Sequence, residues 1–136
     1  MRVTQAQLCM VASMLLIPAV LPAQGAREAS GHAVFVSRDA MGRIQRQATR
    51  NADGSQHVVA NVYWPQSTVV EGRVTEDLDS TGLATHRTTE KFDTRARILE
   101  RRDVAIDAAG KERGTLSRFH YDTQGHGSHT TFAVVP

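Results

Sequence analysis

Apolar and polar residues alternate loosely in short segments along most of the chain. Residues 58–64 and 69–74 are typical, because valines and aromatic residues recur there close to every second position. A period of two is the pattern of β-strands, in which successive side chains point to opposite faces. Residues 97–106 also fit a helix, but the alternation from Ile98 to Ile106 favours a strand.

Turn signals separate these segments with a nearly constant step. Most consist of an aspartate or asparagine followed three residues later by a glycine. The acidic or amide side chain accepts hydrogen bonds from the backbone beyond it, and the glycine tolerates a positive φ. Four-residue turns of this kind close β-hairpins. The predicted turns lie at residues 39–42, 51–54, 65–68, 79–82, 93–96, 107–110 and 122–125.

Eight strands fit around these turns, at about residues 32–38, 43–50, 55–64, 69–78, 83–92, 97–106, 111–121 and 126–135. Because every connection is short, the pattern predicts an all-β, up-and-down antiparallel meander. Charged residues in mid-strand suit a surface better than a barrel interior, so we expect a curled open sheet or partial barrel. The first and last strands are apolar. They either pair with each other and close the sheet, or accept a strand of another chain.

Residues 1–25 have the layout of a secretory signal peptide. Arg2 is followed by an apolar run from Leu8 to Val20 and then by small residues. The run is shorter than the roughly 20 residues that a membrane span needs, although an uncleaved anchor remains the alternative. The sequence thus predicts a signal peptide at 1–25, a single β-rich domain at 26–136 and a secreted or periplasmic location. No transmembrane segment is expected after cleavage.

Cysteine content and charge restrict the chemistry of the expected domain. The only cysteine, Cys9, lies within the predicted signal peptide, so we expect no disulfide and no thiol chemistry. The formal net charge is only +2, from 16 basic and 14 acidic residues, which argues against a nucleic-acid partner. Arginines cluster between residues 95 and 102 but are interleaved with acidic residues. A solvated, mutually paired strand face is expected there, with an anion-binding patch as the alternative.

Histidines concentrate near the C-terminal end. His120, Asp122, His126 and His129 fall within ten residues, and a hairpin closed at 122–125 would bring their two strands together. Imidazole and carboxylate groups in this number suit Zn²⁺ or Cu²⁺, with Asp122 as a ligand or bonded to one. These four residues are a candidate metal site, against the alternative of exposed loop residues without a ligand. The remaining histidines stand alone in the sequence and receive no role.

Tyr63 and Trp64 precede Pro65 at a predicted turn. Adjacent exposed aromatic rings can form a binding platform for sugars or for a partner protein. The alternative is that both rings pack against the end of a small β core.

Two stretches of the sequence resemble the YD repeat of Rhs-type bacterial proteins. The first runs from Asp39-Ala40-Met41-Gly42-Arg43-Ile44 through Asp53-Gly54 to Tyr63, and the second is Tyr121-Asp122-Thr123-Gln124-Gly125. Arg38 stands where the first copy should have its tyrosine, and Phe92-Asp93 is a degenerate third copy without the glycine. The resemblance implies a sheet built from β-hairpins, and it implies no activity.

The sequence contains no catalytic motif, so no catalytic residue and no bound organic cofactor is predicted. The expected function is that of an exported, non-enzymatic β-sheet protein that binds a protein partner or a component of the cell envelope. The alternative is a periplasmic metal-binding protein or metal-dependent enzyme that uses His120, His126 and His129.

Overall fold

A computed structural model describes residues 32–136, which form one antiparallel sheet of eight strands in sequence order. The strands are β1 (Ala33–Arg38), β2 (Ile44–Arg50), β3 (Gln56–Tyr63), β4 (Val70–Leu78), β5 (Ala84–Phe92), β6 (Ile98–Ile106), β7 (Glu112–Tyr121) and β8 (Gly127–Val134). The predicted all-β, up-and-down meander is confirmed, and every strand begins and ends within one residue of its predicted bounds. The predicted signal peptide at residues 1–25 lies outside the described residues. Within 32–136 there is no helix of the length and apolar character that a membrane crossing requires.

The sheet is open rather than closed. Among the described residues β1 pairs only with β2, and β8 pairs only with β7. Of the two outcomes expected for the terminal strands, closure by mutual pairing is therefore wrong for this part of the chain. Two free edges remain, one at each end of the strand order.

Turns that begin with aspartate, or in one case with Asn51, close six of the seven connections as predicted. In each, the backbone N–H of the fourth residue donates to the carbonyl of the first, as Gly82 does to Asp79 over 3.0 Å. The Asp79 carboxylate also accepts from the backbone N–H groups of Thr81 and Leu83, at 2.8 and 3.0 Å. Gly82 has a φ of 88°, where a glycine meets no Cβ clash. These local bonds explain why the strand boundaries can be read from the sequence.

The turn between β3 and β4 lies one residue earlier than predicted. The Ser67 N–H donates to the Trp64 carbonyl over 3.1 Å, which places Pro65 at the second turn position, where its fixed φ fits. A register shift follows between Val62 and Tyr63. This shift determines which side chains of β3 and β4 lie opposite each other.

Alternating side chains divide the sheet into two faces, which we call the Val104 face and the His86 face. Ala48, Val58 and Val104, the buried hydrophobic residues of the described part, lie in one row on the Val104 face. Glu76 and Arg87 occupy the same row between Val58 and Val104, and they form an ion pair at 2.7 Å. No second layer of described residues covers either face. Cross-strand pairs and backbone hydrogen bonds therefore carry much of the stability.

Candidate functional site

The free edge at β1 exposes a run of apolar side chains. Val34, Phe35 and Val36 are 37%, 55% and 46% exposed, and β1 contains no charged residue before Arg38. Phe35 lies on the Val104 face, whereas Val34 and Val36 lie on the His86 face. On an antiparallel edge, every second residue also points its N–H and C=O groups away from the sheet. The edge thus offers both backbone groups and apolar side chains to another strand.

The opposite edge, β8, also lacks lysine, arginine, aspartate and glutamate, but it is more polar. Its one exposed large hydrophobic side chain is Phe132, at 47%. The guanidinium of Arg118 lies over the Phe132 ring, 5.8 Å from the ring centroid. Strands β4 to β7 each contain three or four charged residues. Charges are the usual protection of edge strands against pairing with another chain. Here they are concentrated on the interior strands, and the two edges are left nearly uncharged.

Trp64 lines an apolar groove of about 420 Å³, together with Val62, Phe92 and Leu99. Gly72 lies between Val62 and Lys91 in the same row of the sheet, and its missing side chain opens this space. Val62 and Leu99 are 62% and 41% exposed. Of the residues that line this groove, the sequence pointed only to Trp64. The others come from four different strands, β3 to β6, so only the folded sheet brings them together.

Tyr63 makes a different set of contacts from Trp64. The Arg43 guanidinium lies over the Tyr63 ring, 4.6 Å from its centroid, and the Tyr63 hydroxyl donates to the Ile44 carbonyl over 2.7 Å. Arg43 in turn donates to the Asp39 carboxylate over 2.6 Å. The two rings of the predicted platform are therefore divided: Tyr63 holds the β1–β2 turn, and Trp64 faces the groove. A binding role for Trp64 stays a prediction.

The residues of the candidate metal site lie in three places. His120 pairs with Ser128 on the Val104 face, whereas His129 pairs with Phe119 on the His86 face and stacks on its ring at 5.4 Å. Only His126 and Asp122 are in contact, with the Nδ1 and Oδ2 atoms 3.0 Å apart. Within residues 32–136, no group of three or more histidine, cysteine, aspartate or glutamate side chains is placed to hold a metal ion. The Zn²⁺ or Cu²⁺ hypothesis stays a prediction, with two of its four residues adjacent.

The Asp122 carboxylate already has a structural role in its turn. It accepts from the backbone N–H groups of His126 and Gln124, at 2.8 and 2.9 Å. The His126 N–H is the largest cause that acts on the Asp122 pKa; burial opposes it, and the net result is a pKa below the ordinary value. The carboxylate is thus kept ionised while it closes the hairpin.

A row of histidines and aspartates on the His86 face was missed by the sequence reasoning. His57 and His86 are distant from Asp77 and Asp103 in the sequence, but β3 to β6 bring all four into contact. Only the strand register could have shown that these residues lie opposite each other. That register depends on the irregular connection between β3 and β4.

Comparison with known proteins does not assign this chain to a family. No known protein family matches this chain, and comparison with curated proteins and with solved structures found no similar protein. The resemblance to YD repeats therefore stays a prediction.

Proposed function

We propose that this chain is an exported, non-enzymatic β-sheet protein that binds a protein partner, or a protein component of the cell envelope, by accepting a strand at edge β1. The observation that carries the proposal is the run Val34, Phe35 and Val36, exposed on an edge strand without a neighbour among the described residues. Strand addition uses backbone hydrogen bonds for affinity and alternate side chains for specificity.

Edge β1 suits this role better than edge β8. An incoming strand would place its side chains beside Phe35 on one face and beside Val34 and Val36 on the other. At β8, Ser128, Thr130 and Thr131 interrupt the apolar residues, and Phe132 is already in contact with Arg118. Burial of apolar area favours association, so the more apolar edge is the better binding surface.

Support for export comes from the sequence of residues 1–25, and a secreted or periplasmic location is part of the proposal. Support for a sheet built from hairpin repeats comes from two similar contacts, Arg43 with Tyr63 and Arg97 with Tyr121. Neither point assigns an activity.

Site-specific photo-crosslinking in the cell envelope fraction tests the proposal. A photoreactive amino acid replaces Val36 in the full chain, and a matched variant carries it at Leu83, which lies away from edge β1 and from the Trp64 groove. Leu83 is the more exposed of the two, at 62% against 46%, so nonspecific reaction favours the control position. We expect a discrete protein adduct from position 36 and none from position 83. Equal adducts from both positions, or no adduct from position 36, would contradict binding at edge β1.

The alternative function, metal binding, is supported by the His126–Asp122 contact alone. A protein that binds Zn²⁺ or Cu²⁺ in its folded state is stabilised in proportion to the logarithm of metal concentration. If edge binding is the function, the thermal midpoint of the full chain stays the same in Zn²⁺, Cu²⁺ and EDTA. A metal-dependent rise that disappears in the His126→Ala/His129→Ala double variant would favour the alternative.

A further inference from the structure

On the His86 face, one imidazole lies between two carboxylates on neighbouring strands. The Nε2 atom of His86 on β5 is 2.8 Å from Oδ1 of Asp103 on β6. Its Nδ1 atom is 3.8 Å from Oδ2 of Asp77 on β4. The other oxygen of Asp77 is 2.7 Å from Nδ1 of His57 on β3. The four side chains form a continuous row across the central strands, which we call the His–Asp row.

The number of N–H groups on His86 decides how many of these contacts are attractive. A neutral imidazole has one N–H and one lone pair, so it can donate to only one of the two carboxylates. Since Asp103 is the closer, a neutral His86 donates there and leaves a lone pair facing the anionic Asp77. An imidazolium has two N–H groups: one donates to Asp103, and the other faces Asp77 across the 3.8 Å of an ion pair, where the positive charge makes the contact attractive.

Other groups around the row do not already neutralise both carboxylates. Thr88 and Arg101 contact Asp103 at 3.2 and 3.4 Å. No lysine or arginine among the described residues forms an ion pair with Asp77. Further ionisable groups on or beside this face include Arg73 with Glu90 on β4 and β5, Arg113 on β7, His129 on β8, and Asp53, Asp79, Asp107 and Lys111 in the turns at this end of the sheet; β2 contributes the uncharged Gln47 and Thr49.

We propose that His86 is a proton-operated link between the central strands, in which protonation ties β4, β5 and β6 together through Asp77 and Asp103. Histidine is the side chain that ordinarily changes charge between about pH 5 and pH 8. In a single-layer sheet with a small core, such cross-strand links are a sizeable part of the stability. Mild acid therefore tightens the centre of the sheet, and neutral pH loosens it.

The direction of the Asp103 pKa agrees with this arrangement. Burial raises the pKa of Asp103, but the hydrogen bond and charge of His86, with Thr88 and Arg101, outweigh burial and hold it below the ordinary value. A depressed carboxylate pKa contributes stability that is present above its unfolded value, about 3.9, and is lost as the pH falls through the folded value. The lowered pKa thus keeps Asp103 ionised in mild acid, where the link needs its charge.

Thermal melting of the full chain at about pH 5.5 and about pH 7.5 tests the proposal. The matched variants are His86→Asn and His120→Asn, since His120 is exposed and forms no ion pair within the described residues. These contacts are partly exposed, so the expected effect is modest: the acid midpoint relative to the neutral one should fall by about 3 °C in His86→Asn. His120→Asn should keep the wild-type difference. An unchanged difference in His86→Asn, or an equal fall in both variants, would overturn the proposal.

A second measurement applies if His86→Asn does not fold. In the wild-type protein in mild acid, the Nε2 proton of His86 should give a slowly exchanging NMR signal, because Asp103 accepts it over 2.8 Å. A rapidly exchanging Nε2 proton would overturn the link to Asp103. Neither measurement depends on edge β1, so the proposal stands or falls separately from the proposed function.

Discussion

The guanidinium of Arg97 lies over the ring of Tyr121, 4.5 Å from its centroid, and connects the β5–β6 turn to the end of β7. The Tyr121 hydroxyl donates to the Ile98 carbonyl over 2.8 Å, and Arg97 donates to Asp93 over 2.7 Å. The same three contacts occur at Arg43 and Tyr63 in the first half of the sheet. Each set ties the turn of one hairpin to the end of the next strand in the sheet order, about 20 residues further along the chain.

Replacing Tyr121 with phenylalanine removes one hydrogen bond and leaves the ring under Arg97. We expect Tyr121→Phe to lower the free energy of unfolding by about 1 kcal/mol, because the Ile98 carbonyl loses its side-chain donor. Tyr63→Phe should cost a similar amount at the other site. The two sites share no residue, so denaturant unfolding should show additive costs in the double variant. Clearly non-additive costs would mean that the two contacts are coupled.

The β5–β6 turn carries alanine where the similar turns carry glycine. Ala96 has a φ of 60°, in the left-handed region that penalises a Cβ atom. We expect Ala96→Gly to stabilise the protein by about 0.5–1 kcal/mol, since relief of the clash exceeds the added entropy of the unfolded chain. The control is Ala109→Gly in the β6–β7 turn, where φ is not positive and the same change should destabilise. A loss of stability in Ala96→Gly would contradict the assigned turn geometry.

Gly114 on β7 lies opposite the buried Val104. A Cβ atom there would overlap the Asp103 carbonyl oxygen and lie 2.8 Å from the Val104 Cα atom. We expect Gly114→Ala to destabilise by about 2–3 kcal/mol, because backbone must move. At Gly72 the nearest atom is 3.7 Å away, so Gly72→Ala should change stability by less than about 0.5 kcal/mol. Similar denaturant midpoints for the two variants would be inconsistent with the close approach of β6 and β7.

The pKa of Asp79, and with it the acid stability of the β4–β5 turn, should depend on Thr81. The Thr81 hydroxyl donates to the Asp79 carboxylate over 2.6 Å and is the largest cause of its lowered pKa. A lowered pKa means that this turn contributes stability above about pH 3.9 and loses it as the pH falls through the folded value. Thr81→Val should therefore raise the Asp79 pKa and move acid unfolding to higher pH. In an NMR titration of the carboxyl carbons, Asp93, whose pKa is lowered chiefly by the Arg97 N–H, should not move. Parallel shifts at both aspartates would point to a global change instead.

The bounds of the strands could be predicted from the residues of the turns. The contacts between side chains could not, because they depend on the register between neighbouring strands. The aspartate and glycine spacing identifies where each hairpin closes, because those bonds form within five residues of chain. A turn at 65–68 without a bulge would place His57 opposite Glu76. Tyr63 keeps that register opposite Val70, and the shift between Val62 and Tyr63 then places His57 opposite Asp77 instead, on the other face. The His–Asp row follows from that one-residue difference, which reverses every side chain on a strand.

The candidate metal site also shows that proximity in the sequence does not determine which side chains meet. Proximity in sequence suggested that His120 and His129 would converge, but alternation along β7 and β8 puts them on opposite faces. The edge strands, in contrast, were recognisable from their apolar residues, and only their failure to pair required the structure.

Amide hydrogen exchange along β1 in the full chain tests the free edge most directly. Alternate β1 amides bond to β2, and the others point away from the sheet. The account predicts alternating slow and fast exchange from Ala33 to Arg38, while consecutive amides of the interior strand β4 exchange slowly. Slow exchange at every β1 amide of the isolated protein would show that the edge is already covered, and binding at β1 would then be ruled out.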